Sequence, residues 1–383
     1  MFHLDDLRKI TRATGFIHTL SSIVVNESIF YSAHQIKTRN RFDLISFNEV
    51  ALLLSLMSEA PLDLSFPDSH EAARQYQACK AALDALHDEI SSFSRGDKIE
   101  DLFTAGQHFI EPIFYAAGAG FWFDYLSLAP RLYELDKQFL FERGYEIEEF
   151  SALLREMQAI FKTRLRDFIR EQRKNIRKIG LVASPFVCFV FSPSDIPQAQ
   201  IDTYKKFIDR FSVEFGKGPI VKDPLDYHPC KARPALRLSD TQIFVPLVPM
   251  LCEQLYESPF YTIAQDKSYF ASNANNRGLA SELMLGEILR PIEHLELIRD
   301  VKVKYHGSEI GQIDLVAVFG AAAIIFEVKT KRLTQASKSG STKDLINDIQ
   351  AGILEAQRQL AGIKSALLSK AYDNISWGCP GFC

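Results

Sequence analysis

The sequence predicts a mainly α-helical N-terminal region followed by a C-terminal α/β domain. The domain runs in the order αβββα, with a mixed sheet flanked by helices. Three observations carry this. Apolar residues recur at spacings of 3 and 4 between residues 68 and 180. Between 297 and 330 three short apolar runs are separated by turn residues, a strand texture. A long amphipathic stretch then occupies 342–369.

Taken in order, Asp68 and Ser69 are N-cap residues for a helix whose inner face is Tyr76, Cys79, Leu83, Leu86 and Ile90, ending at Arg95-Gly96. A longer helix is expected over 150–179. It buries Leu154, Met157, Phe161, Leu165 and Phe168 and stops at Gly180. Its other side carries Lys162, Arg166, Arg170, Arg173 and Arg177 at spacings that align them along one face. That face is either solvated or a ridge that contacts phosphate. From 181 the texture changes. Leu181 to Phe191 predicts a strand broken by Ser194, Asp195 and Pro197, and Pro234 to Pro246 predicts a hairpin around Ser239-Asp240-Thr241. Residues 272–277 are expected to form a loop. Three segments result: a helical region over 1–180 with a sensing or interaction role, a β-containing connector over 181–270, and a last domain over 271–383.

Length and composition narrow the class. At 383 residues the chain has room for two to three domains of about 150 residues each. With 47% apolar and 24% charged residues it is an ordinary folded protein, neither disordered nor fibrous. The net charge of −4 excludes a uniformly basic nucleic-acid binder, but the charge is uneven. Residues 1–150 carry 13 basic and 23 acidic side chains, residues 151–180 carry 9 and 3, and residues 301–383 carry 10 and 7. A polyanion is therefore expected to meet the later segments. The six cysteines form no C-x2-C pair, so a disulfide framework and a zinc knuckle are unsupported and reduced thiols of a cytoplasmic protein are expected. The apolar runs 113–123 and 315–326 fall short of the roughly 18 residues of a membrane span, and the first residues lack the pattern of a secretory signal. No membrane association is expected. A Walker-type phosphate loop and an H-E-x-x-H zinc motif are both absent.

The last domain carries the chemistry. It is expected as a helix over 278–291, strands over 297–305, 310–319 and 322–330, and a helix over 342–369. Gly320 suits the first central position of a type II′ turn, so the tightest hairpin has Gly320-Ala321 as its loop and pairs Phe319 with Ala322. Extended along both strands, this register sets Asp314 opposite Glu327 and Gln312 opposite Lys329. All four then lie on one face. Two facing carboxylates repel each other, and a hard divalent cation such as Mg2+ or Mn2+ offsets this. Removing one of them should therefore leave the metal-free protein no less stable. Lys329 is placed to orient water or to stabilise charge on a phosphate. The parts are those of a metal-dependent phosphodiesterase. Glu-x-Lys by itself carries little weight, because any exposed strand with alternating charges produces it.

Asp314, followed after 13 residues by Glu327-Val328-Lys329 at the end of an apolar strand, resembles the PD-(D/E)xK nuclease superfamily. A proline usually precedes the aspartate of that motif, and Ile313 stands in its place. The likeness extends over about residues 272–370. It implies an αβββα nuclease core, metal ligands at Asp314 and Glu327 and at the Val328 carbonyl, and Lys329 as the catalytic lysine. It also implies a glutamate on the first core helix, for which Glu282 in Gly278-Leu279-Ala280-Ser281-Glu282 is the match and Glu287 the rival. On the last helix Ile346, Ile349, Ile353, Ala356, Leu360, Ile363 and Leu367 form the expected core stripe. Gln350 and Gln357 flank it, either as surface amides or near the site. Lys331, Arg332, Lys338 and Lys343 suit a phosphate-gripping loop or a solvated one. The expected function is a Mg2+-dependent endonuclease acting on DNA, a restriction or anti-phage effector. Nothing in the residues separates DNA from RNA. The alternative is a catalytically inactive nuclease fold acting as a nucleic-acid-binding or scaffolding module. The resemblance also implies a further strand after the last helix, where Asn374 to Trp377 allow only a short one. The sequence thus looks truncated at its C-terminal end. The open sheet edge is expected to be covered by residues 181–191, a partner protein or a second protomer.

Overall fold

The structure, a computed structural model, describes residues 4–29, 45–94, 122–179, 184–224, 228–306, 308–330, 332–334, 337, 342–369 and 374–376. It is mixed α/β and divides into two compact units. One comprises residues 1–129 and 140–262, the other residues 130–139 and 263–383. The segment expected as a separate connector is therefore part of the first unit up to residue 262. Residues 130–139, read with the helical region, belong to the second.

The first unit is built around the helix Phe47–Ser58, whose residues from Val50 to Leu56 are fully buried. Ser46 caps it by accepting from the Glu49 N–H, and Glu49 returns the bond to the Ser46 N–H, a capping box that satisfies two backbone donors at once. Leu4–Thr11, Phe16–Ile23 and Ser69–Ser94 share its apolar cluster. Asp68 caps the last of these as expected, accepting from the Glu71 N–H at 2.8 Å. The long helix spans Ile147–Ile179 and buries Leu154, Met157 and Leu165. Arg95, Gly96 and Gly180 lie outside the described residues.

The strand expected over 181–191 is shorter. Among its described residues, Phe186–Phe189 is a helical turn and only Val190–Phe191 is extended. These two residues pair with Ile243–Phe244, which also closes the expected hairpin with Ala235–Arg237. Ser212–Glu214 adds a parallel strand, so the mixed sheet lies in the first unit. The helices Ile201–Phe211 and Val248–Gln265 had no sequence expectation.

The second unit follows the order read from the sequence. It consists of α1 (Asn276–Leu289), β1 (Glu296–Tyr305), β2 (Ser308–Phe319), β3 (Ala322–Phe326), a long helix α2 and β4 (Asn374–Ser376). Helix α2 is made of Thr342–Ile349, a π-helical segment Gln350–Leu354, and Glu355–Leu368. The strand order is β3-β2-β1-β4, and every pairing described is antiparallel, so this sheet is not the mixed one expected. The late strand β4 pairs with β1, leaving β3 at the opposite edge. Residues 190–191 are paired in the other sheet and add no strand to this one.

Two contacts fix this unit's frame. Buried Asp136 accepts hydrogen bonds from Tyr269 and Asn276, each at 2.8 Å, and so ties the inserted segment to the start of α1. Helix α2 crosses β2 at Gly311, where a Cβ would come within 2.7 Å of the Ile363 side chain, and only glycine allows that approach. Among the described residues no helix is long and apolar enough to cross a membrane. Cys79, Cys188, Cys230 and Cys252 are free and buried.

Candidate active site

The hairpin β2–β3 has the register read from the sequence. Phe319 pairs with Ala322 and Leu315 with Phe326 across a Gly320-Ala321 loop. Gly320 has φ of 58° and Ala321 has no positive φ, the combination a type II′ turn requires. One further step would bring Asp314 level with Glu327, but the ladder ends at Phe326, four residues before the expected strand end. The reason is local. Asp314 Oδ2 accepts the Val328 N–H at 2.6 Å, so this backbone donor is held by a carboxylate instead of by the partner strand. Asp314→Ala thus removes a charge-assisted hydrogen bond, which opposes any stability gained by relieving carboxylate repulsion.

Glu327 and Lys329 form the centre. The Glu327 side chain is only 6% exposed, and its Oε1 accepts from Lys329 Nζ at 2.6 Å. Its other oxygen, Oε2, is buried and has no hydrogen-bond partner among the described residues. A carboxylate oxygen in that state carries an uncompensated desolvation cost, which a cation would remove. Glu282, on α1, faces the same region. Its carboxyl is pushed above its ordinary range, first by burial and then by the charge of Asp314, with Arg299 opposing the shift and Asp300 and Glu327 adding to it. Arg299 Nη2 lies 3.8 Å from Glu282. Glu287 is drawn away into an ion pair with Arg131, so of the two glutamates only Glu282 belongs to the cluster.

Gln312 is not part of a polar square. Its Nε2 donates to Asp300 Oδ1 at 2.7 Å, toward β1, while Lys329 turns to Glu327. Asp300 is an acidic member that the sequence reading missed. Arg299 pairs with Leu315 and Val301 with Ile313, so Asp300 sits level with Asp314, outside the ladder, with φ of 53°. An Asp tolerates that conformation better than most residues. Counting pairs across β1 and β2 exposes the alignment, but the bulge between Val303 and Lys304 hides the register from sequence alone.

Helix α2 forms a wall beside this centre. An open groove of about 680 Å3 runs between Glu327 and Lys329 on one side and residues of α2, including Gln357 and Lys364, on the other. Gln357 therefore reaches the site, whereas Gln350 does not line the groove. The core stripe expected on this helix is broken. Ile363 is buried, but Ile346 and Ile353 are exposed.

The basic residues divide between the units. Lys331 and Lys338 lie outside the described residues. Arg332 is half-buried and Lys343 exposed, flanking a loop pinned where Asp348 Oδ2 accepts from the Thr334 N–H at 2.7 Å and the Ser337 hydroxyl at 2.5 Å. Lys162, Arg166 and Arg170 are exposed on the long helix of the first unit, and Asp167 lies 3.6 Å from Arg166 and 3.2 Å from Arg170. Arg177 is on the same helix, its side chain outside the described residues.

Among the described residues no three or more His, Cys, Asp or Glu side chains are grouped closely enough to hold a metal ion together. The donor set and the orphaned Glu327 oxygen nonetheless suit a hard divalent cation, since carboxylate oxygens are its preferred ligands. Compared with known proteins, the chain matches no family model, no curated protein and no solved structure.

Proposed function

We propose that the second unit is a metal-dependent nuclease of the PD-(D/E)xK type that hydrolyses phosphodiester bonds, with DNA as the substrate. The observation that carries this reading is the Glu327 carboxylate, buried, paired on one oxygen with Lys329 and unpartnered on the other, beside Asp314 and Glu282. Glu282, Asp314, Glu327 and the Val328 carbonyl would hold Mg2+ or Mn2+. The bound cation supplies charge that neutralises the scissile phosphate and activates water.

The chain's own residues set the stage for this. Asp314 fixes the Val328 N–H and thereby the direction in which residues 327–329 leave β3. Lys329 donates to Glu327 Oε1 and stands beside the groove, where the same ammonium group could donate to a phosphate oxygen. Arg299, 3.8 Å from Glu282, favours the charged form of that carboxylate against the burial and the neighbouring acids that raise it. The test is incubation of the full chain with supercoiled plasmid and with single-stranded DNA in Mg2+, Mn2+ or EDTA, alongside Glu327→Gln. Cleavage that requires metal and is lost in the variant supports the reading. Binding without cleavage in every metal favours the nucleic-acid-binding or scaffolding module instead.

A further inference from the structure

The groove beside Glu327 has an unusual wall for a site that acts on a polyanion. Its α2 side is aliphatic, with Gly352, Ile353, Ala356 and Leu360 among its lining residues. Ile353 was expected in the core and is 68% exposed. The cause is the π-helical segment Gln350–Leu354. One extra residue in a turn rotates the rest of the helix by about 100° relative to an unbroken α-helix, so a single stripe cannot stay on one face. Exposing a large aliphatic side chain forfeits burial, and π segments are frequent where function requires them. At the groove's polar parts stand Lys329 and Lys364, cations that suit a phosphate, and Gln357, an amide that can both donate and accept.

We propose that this groove binds an unpaired nucleotide next to the scissile phosphate, which makes single-stranded nucleic acid, or a strand with an unpaired segment, the substrate class of the site. The inference rests on the nuclease reading above. Duplex nucleic acid presents phosphates and groove edges, while the apolar faces of its bases are stacked away. Only an unpaired base offers an apolar face to an aliphatic wall together with an edge that an amide can read. The volume of about 680 Å3 lies within the roughly 300–1,000 Å3 typical of ligand sites. Continuity supports the choice of occupant, because Glu327 and Lys329 line the groove and also form the candidate centre.

The test is fluorescence anisotropy of the full chain, in EDTA, with a short labelled single strand and with the blunt duplex of the same sequence. The single strand is expected to bind about tenfold tighter. Ile353→Ser should weaken single-strand binding roughly fivefold to tenfold, with less than about a twofold change on the duplex. Ile353 and Gln357 are both exposed, so neither Ile353→Ser nor a second variant, Gln357→Ala, endangers folding. Equal or tighter duplex binding overturns the proposal, as does single-strand affinity that is indifferent to both variants. Metal-dependent cleavage of duplex with no preference for unpaired strands defeats the groove and leaves the nuclease reading intact. Absence of both binding and metal-dependent cleavage on any nucleic acid defeats the two together.

Discussion

The two units spend their apolar residues differently. In the first, Leu7, Leu20, Leu53, Phe189, Phe207 and Phe244 are all fully buried, and aromatic pairs such as Phe189–Phe244 and Phe207–Phe211 interlock at centroid distances of 5.9 and 4.8 Å. In the second, the described core is thinner: Leu132, Tyr133 and Leu315 are buried, as is a cluster of Val301, Val303, Ile313, Val316 and Ile363, while Phe319, Ile324, Ile353 and Leu368 are exposed. A dense core with few exposed apolar side chains is what stability alone demands. A thin core beside uncovered aliphatic surface marks a region whose residues are kept for contact with something else. The candidate site lies in the second kind of region.

The sharpest test of this contrast is a pair of truncations. Phe244→Ala removes a fully buried ring in the first unit and should cost about 3–5 kcal/mol in urea unfolding of the full chain. Ile324→Ala, on the exposed edge strand β3, should change stability by no more than about 0.5 kcal/mol. Comparable losses would mean that the second unit is as tightly packed as the first and that its exposed residues are already engaged.

A second contrast separates stability from chemistry inside the second unit. Glu327→Gln neutralises a buried, half-paired carboxylate, so its melting temperature should hold or rise while metal-dependent cleavage falls about a thousandfold. Asp314→Ala should abolish cleavage too, but at a cost of about 1.5–3 kcal/mol, because the Val328 N–H loses its charged acceptor. Cleavage by Glu327→Gln at the parental rate ends the nuclease assignment.

The first unit also holds the chain's most strongly shifted histidine among the described residues. Burial, with the charge of Lys231 adding to it, pushes His228 down to about 3. Its folded value lies below the unfolded one near 6.5, so the folded state keeps it neutral while the unfolded chain takes up a proton. The stability it contributes is complete above pH 6.5 and drains away as pH falls toward 3. At pH 5 the loss is about 2 kcal/mol. His228→Leu should flatten this slope in urea titrations between pH 7 and 5, and an unchanged slope would assign the acid sensitivity to other groups.

Most of the second unit's order was legible because it rests on local rules. Gly320 specifies its turn, and the turn fixes the register as far as Leu315 and Phe326, one pair short of Asp314 and Glu327. What escaped depends on events that no short pattern records. The early end of β3 needs Asp314 to capture the Val328 N–H. Gln312 left the expected square because its amide donates to Asp300, on another strand. Glu287 dropped out through Arg131, more than 150 positions away in sequence. The stripe on α2 failed at a π segment, for which helical periodicity has no symbol. In the first unit the hairpin at 235–244 was legible, whereas Phe186–Phe189, read as part of a strand, is a helical turn with the same apolar letters.

The basic ridge of the first unit provides the smallest expected effect. If Lys162, Arg166 and Arg170 all contacted phosphate, replacing them with Ala would shrink the salt slope of nucleic-acid binding by about 2.7, at roughly 0.9 per contact. The structure favours a smaller figure. Arg166 and Arg170 lie on either side of Asp167, whose charge partly offsets theirs, and Arg164 on the same helix is turned inward to the Val190 carbonyl and Asp195. Exposed pairs of this kind are worth little to folding, and a carboxylate among the cations lowers the number of counterions that binding releases. The triple variant should therefore shift the slope by less than about one unit, and Lys329→Ala, whose ammonium is likewise paired with a carboxylate, by less than about 0.9. Binding titrations between low and moderate salt measure both. A slope that falls by more than two units in the triple variant would make the ridge a phosphate surface after all and would move part of the nucleic-acid interface to the first unit.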